Sequence, residues 1–200
     1  DETAEINTRK VLDAMRECRV SDAHFGVSAG YAYSDLGREK LDELYARVFG
    51  AERALVRTQF VSGTHALATV LFGILRPGDQ LVSITGTPYD TMQTVIGWAH
   101  ESVGSLKEFG VDYDELSMRD GRVDMDGINR IVTARTKVAL VQRSRGYSER
   151  EPLSIEDIRA VSARIKAVNP NCIVFVDNCY GEFVDTVEPT EIPTVDIMAG

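Results

Sequence analysis

The spacing of apolar residues changes several times along the chain, and the changes predict alternating helices and strands. Val11, Leu12 and Met15 carry a short amphipathic spacing near the start. Leu41, Leu44, Tyr45 and Val48 mark one side of a clearer helix from about Leu36 to Phe49, and Gly50 stands at its C-terminal stop. Between these helices, residues 25–33 hold glycines and aromatics with no helical period and read as a loop. From residue 51 onward the spacing predicts strands over 53–57, 80–85, 111–116 (weaker), 137–142, 172–177 and 195–199. Helices are predicted over 64–76, 90–98 and 124–132, and a capping box at Ser154 and Asp157 opens another to about Val168. Runs such as Val138-Ala139-Leu140-Val141 are apolar on both faces of a strand, so the sheet must be covered on both sides. The expected class is therefore α/β, a mainly parallel sheet with helices on each face.

Composition narrows the partners. Hydrophobic residues make up 44% of the chain and charged residues 26%, which is ordinary for a folded domain. With 22 basic and 31 acidic residues the formal charge is −9, which argues against a nucleic-acid partner but leaves room for a small anion held by a few local donors. No apolar run reaches the roughly 18 residues of a membrane helix, so no membrane partner is expected. The acidic, polar start does not read as a signal peptide. It also lacks an initiator Met, so the chain is expected to be a piece of something longer. Cys18, Cys172 and Cys179 are odd in number and form no CxxC pair, which fits a reducing, cytoplasmic setting without a disulfide framework or a zinc knuckle. Three scattered histidines form no HExxH pattern, and no metal site is expected.

Ligands of parallel α/β sheets bind in the loops beyond the C-terminal strand ends. Four such loops stand out chemically: Phe60–His65, Gly86–Thr91, Gln142–Tyr147 and Asp177–Gly181. Ser62-Gly63-Thr64 precedes a helix and is either a plain N-cap or an anion site made of helix-start N–H groups and two hydroxyls. Neither GxxxxGK nor GxGxxG occurs, so a nucleotide is not the obvious anion. Asp177 ends an apolar strand and is either a cap or a carboxylate aimed at a bound cation, such as a protonated pyridine nitrogen. Tyr89 is either a packed aromatic or a cover for a flat ring; His65 competes for that role or is an ordinary hydrogen-bonded histidine. Arg143 and Arg145 either receive a substrate carboxylate or act as ion-pair partners.

An anion loop, then an aromatic, then an acid at a later strand end point to pyridoxal phosphate. The chain resembles the methionine gamma-lyase-like, aluminium-resistance proteins among the fold-type-I pyridoxal-phosphate enzymes. The resemblance rests on Gly30–Arg38, Val61–Ala66, Pro88–Thr91, Gly104–Gly110, Gln142–Tyr147, Val176–Phe183 and Glu188–Glu191, and it runs from about His24 onward. It implies that Ser62, Gly63 and Thr64 hold the cofactor phosphate, that Tyr89 stacks on the ring and that Asp177 pairs with its nitrogen. It further implies that Tyr31, Tyr33 and Arg38 reach toward a neighbouring subunit's site; read alone, Arg38 is equally a solvated residue of its helix. Residues 1–50 would then be an N-terminal segment with intersubunit contacts, and 51–200 an incomplete cofactor-binding large domain. The implied assembly is a homodimer or homotetramer.

Such enzymes need a lysine that bonds covalently to the cofactor. The resemblance places it a few residues after the last predicted strand, beyond Gly200. Lys10, Lys40, Lys107, Lys137 and Lys166 read as surface or helix charges. The chain is thus expected to lack the lysine and the small domain and to be inactive alone. The implied activity of the complete protein is carbon–sulfur lysis of a sulfur-containing amino acid. Alternatives are another activity of the same fold type, an aldolase or aminotransferase, or an inert binding homologue.

Overall fold

The computed structural model describes residues 1–27, 35–98 and 102–200. Among these residues are six α-helices and five strands, besides two short 3-10 turns: α1 (Glu2–Glu17), α2 (Leu36–Val48), α3 (Gly63–Ile74), β1 (Gln80–Ser83), α4 (Asp90–Ile96), β2 (Asp112–Glu115), α5 (Met125–Ile131), β3 (Thr136–Gln142), α6 (Ile155–Val168), β4 (Ile173–Asp177) and β5 (Ile197–Ala199). The strands form one parallel sheet in the order β2-β1-β3-β4-β5. The chain leaves β1 toward β2 and then returns to place β3 on the other side of β1. The sheet's topological switch point therefore lies between β1 and β3, where open α/β sheets bind their ligands.

Strand alternation sorts the core into two layers. Val82, Ala139, Val141, Val174 and Val176 face one way and pack with Ile128 of α5 and Ile158, Val161 and Ile165 of α6. Leu81, Val138, Leu140 and Phe175 face the other way and meet Leu67 and Leu71 of α3 and Met92 and Ile96 of α4. The two-sided apolar strands seen in the sequence are thus buried on both faces, as a covered parallel sheet requires. β2 is the exception. It lies at the sheet edge, and its Asp112 and Asp114 face water, charges that discourage edge-to-edge pairing.

The predicted elements are present with shifted ends, apart from one. Residues 53–57, expected as a strand, belong to no strand. A strand needs a partner edge, and here the Val56 N–H donates instead to the Asp42 carboxylate at 2.8 Å, with the Arg57 guanidinium on the same oxygen at 2.6 Å. The segment is tied to α2 and not to the sheet. At the other extreme, α1 begins nine residues before the Val11 spacing, because Asp1 caps Thr3 and Glu2 and Glu5 suit the first turn.

The N-terminal helices pack against the segment that follows β4. Asn7 Nδ2 donates to the carbonyls of Phe183 and Asp185, each at 3.0 Å, and Lys10 Nζ reaches the Thr186 carbonyl at 2.9 Å and Glu191 at 3.1 Å. α1 is thereby tied to the same loop that carries residues beyond Asp177. Among the described residues no helix is long and apolar enough to cross a membrane.

Candidate active site

Three chain segments meet at the C-terminal end of the sheet. The first is the start of α3. Ser62 takes an extended conformation and its hydroxyl accepts the His65 N–H at 3.1 Å, so it caps the helix. Gly63 and Thr64 occupy the first turn, where N–H groups have no intrahelical acceptor and point out of the helix end. The Thr64 hydroxyl is 3.0 Å from that of Thr91 on α4, which joins the first segment to the second.

The second segment comprises the loops on either side of the switch point. Tyr89, at the N-terminal boundary of α4, hydrogen-bonds through its hydroxyl to Ser144 Oγ at 2.9 Å, across the gap between β1 and β3. Gly146 lies against the Tyr89 ring with φ +60°, and a Cβ built there would come within 3.1 Å of Tyr89 Cε1, so a side chain would be strained and would also push on the ring. The Tyr147 ring meets Tyr89 edge-on, with centroids 6.1 Å apart. The loop is held from below by Arg150, which is buried and donates to the carbonyls of Gln142 and Ser144. Burial lowers the Arg150 guanidinium from its usual value, while nearby Tyr89 acts the opposite way.

The third segment follows β4. Asp177 is only 2% exposed, and its Oδ1 accepts the Cys179 N–H at 3.1 Å. Burial pushes its carboxyl above the usual carboxylate range; Cys179, through side chain and backbone, pulls it back down, and Glu182 pushes it up again. Among the described residues no ion pair reaches this carboxylate. A buried acid without a cation is costly. The third segment also touches the first, since a Cβ on Gly63 would lie 3.0 Å from the Cys179 sulfur. The structure therefore brings Gly63 and Thr64, the α4 boundary that carries Tyr89, and Asp177 into one neighbourhood.

The other sequence candidates are placed as follows. His65 is exposed and turned to its own loop, with Nδ1 3.4 Å from the Val61 N–H and its ring edge-on to Phe60. Arg38 lies beside Asp35 at the start of α2, 3.6 Å from its carboxylate. Arg145 is exposed at the loop over Tyr89. Arg143 is 3% exposed and fully engaged: it donates to Asn178 Oδ1 at 2.9 Å, to the carbonyls of Gly181 at 2.7 Å and Leu153 at 3.4 Å, and to Asp185 at 2.6 Å. Of the two roles open to Arg143 in the sequence, the ion pair is the one its surroundings display. Tyr31 and Tyr33 lie outside the described residues.

Sequence reading missed Ser144, Thr91, Arg150 and Cys179. Each lies in or beside a loop singled out by the sequence, but their contacts join distant positions, as in Tyr89–Ser144, 55 residues apart, and the still more distant Gly63–Cys179, and no local pattern announces them.

A parallel sheet with its switch point beside a helix start and a strand-end acid has the architecture of the fold-type-I large domain. The comparisons agree. A carbon–sulfur lyase involved in aluminum resistance from Clostridium novyi NT superposes with a TM-score of 0.95 at 46% identity, covering 100% of this chain and 48% of that one. An aluminum-resistance protein of Listeria innocua gives 0.96 at 52% identity, over 100% and 49% respectively. The protein YnbB of Bacillus subtilis (strain 168), itself uncharacterized, is 46% identical over 202 residues, 100% of this chain and 48% of its own. The methionine gamma-lyase family matches residues 1–200, and the chain belongs to that family. It spans about half the length of these relatives.

The site suits pyridoxal phosphate on its own chemistry. Helix-end N–H groups at Gly63 and Thr64 fit a phosphate, and the buried Asp177 meets no cation among the described residues, a partner that a protonated ring nitrogen would supply.

Proposed function

We propose that the full-length protein is a pyridoxal-phosphate-dependent carbon–sulfur lyase acting on a sulfur-containing amino acid of cysteine and methionine metabolism. The observation that carries this reading is Asp177, buried at the end of β4 without a cation and in contact, through Cys179, with the start of α3. When bound, the cofactor supplies an electron sink for negative charge at the substrate α-carbon.

The roles of this chain's residues follow. Ser62 shapes the helix start, and Gly63 and Thr64 hold the phosphate with N–H groups and a hydroxyl. Tyr89, fixed by Ser144 and Gly146, covers one face of the ring; His65 is a weaker candidate because its ring already packs on Phe60. Asp177 holds the proton on the ring nitrogen. Arg143 fixes the loop after Asp177, which leaves the exposed Arg145 as the candidate for a substrate carboxylate. Tyr31, Tyr33 and Arg38 serve a neighbouring subunit's site in a homo-oligomer.

A panel of cysteine, homocysteine, cystathionine and methionine, offered to the full-length protein with the cofactor, tests the reading. Elimination consumes one water and yields a keto acid, ammonia and the sulfur product in equal amounts, a thiol from methionine or cystathionine and hydrogen sulfide from cysteine or homocysteine. Keto acid without sulfur product or ammonia means amino transfer, and no product from any of the four contradicts the lyase reading.

A further inference from the structure

Cys179 differs from the other cysteines. Cys18 and Cys172 are buried, whereas Cys179 is half-buried and lies between the helix start and the acid. Its backbone N–H donates to Asp177 Oδ1 at 3.1 Å, and its sulfur lies where a side chain on residue 63 would be, 3.0 Å from the ideal Cβ position. That distance is inside ordinary carbon–sulfur contact, so neither residue can grow without moving the other. The next residue, Tyr180, sits at φ +70°, a left-handed conformation that a tyrosine holds only where its surroundings fix it. Asn178, the residue before, is pinned to β5 by its N–H on the Ala199 carbonyl at 2.9 Å. Cys179 thus has little freedom along the backbone, and a push on its sulfur passes to the Asp177 carboxylate.

We propose that Cys179 is a positioning residue that sets the distance between the two ends of the site, with its backbone holding the Asp177 carboxylate and its sulfur resting on the turn at Gly63. This rests on the cofactor reading above. A second feature agrees with a packing and donor role in place of a nucleophilic one. Burial, with Asp177 beside it, pushes the Cys179 thiol up to about 12, so it stays protonated across the physiological range.

The test is cofactor affinity of the full-length protein, followed by absorption during titration with pyridoxal phosphate. Gly63→Ala should weaken binding about tenfold, because the methyl displaces the sulfur and with it Asp177. Cys179→Ser alone should weaken it about threefold. A hydroxyl oxygen sits closer to its Cβ than sulfur does, so the double variant regains room and should bind better than Gly63→Ala, within about threefold of the parent. A double variant weaker than either single one overturns the proposal, as does Gly63→Ala binding like the parent. Should Gly63→Ala fail to fold, Cys179→Val makes the same push from the opposite side and should lose about tenfold; a loss equal to that of Cys179→Ser overturns the proposal. Independent losses in a protein that binds the cofactor leave the lyase reading standing. A parent protein that gains no cofactor band removes both.

Discussion

Asp177→Asn in the full-length protein should lower turnover about a hundredfold or more while leaving the apo fold at least as stable as the parent. The two effects have one cause. Asparagine keeps the oxygen that accepts the Cys179 N–H, so the loop geometry survives. It removes a carboxylate that is 2% exposed and meets no cation among the described residues, and relieving such a charge is worth about 1 kcal/mol. With asparagine, no charge holds the proton on the ring nitrogen, and an electrostatic contribution of this kind is worth about a hundredfold or more. The pH dependence identifies the cause. Burial raises the folded-state pKa of Asp177, so the folded protein binds this proton more tightly than the unfolded chain. The carboxylate therefore destabilises the fold increasingly as pH rises from the ordinary carboxylate value through the raised one. The stability gain of Asp177→Asn should be full at neutral pH and vanish in acid, where both states are protonated. Urea unfolding at several pH values checks this, and a gain that persists in acid would point to packing instead.

Arg143→Ala should be the most destabilising single change in the loop region, at about 3–5 kcal/mol. One guanidinium there serves four acceptors on two segments: Leu153 before α6, and Asn178, Gly181 and Asp185 in the loop after β4. Without it, Asn178 Oδ1 is left buried with no donor, and the Gly181 carbonyl keeps only the Val184 N–H at 3.3 Å. Asp185 is partly solvated and suffers less. Lysine should not rescue, because a single ammonium cannot reproduce the fork that reaches all four. The midpoint of denaturant unfolding measures the loss. A fall below about 1 kcal/mol would mean that the loop repacks around the gap.

The loop hung on Arg143 also explains which parts of the molecule the sequence disclosed. Strands such as Val138–Val141 and Cys172–Val176 were legible because both strand faces are buried, so each is a short apolar run bounded by polar residues. Residues 53–57 have a similar local character, yet the Val56 N–H and the Arg57 guanidinium go to Asp42, and only the tertiary structure decides whether an extended segment finds a sheet edge. Ser62–Thr64 were legible as a helix start, where hydroxyl residues are preferred caps, and Asp177 as a lone acid closing an apolar strand. What joins them was not. The register that sets Gln142 opposite Asp177 brings the Arg143 loop beside the Asp177 loop, and that pairing spans 35 residues in Arg143–Asn178. Neither the choice between Tyr89 and His65 nor the engagement of Arg143 could be made before those partners were known.

The most direct test of the account is a crystal structure of the full-length protein with pyridoxal phosphate bound. The phosphate should lie within about 3 Å of the Gly63 and Thr64 N–H groups, the Tyr89 ring over the pyridine, and the ring nitrogen within about 3 Å of the Asp177 carboxylate. A cofactor bound with its phosphate away from the start of α3, or with Asp177 facing no part of the ring, would contradict it.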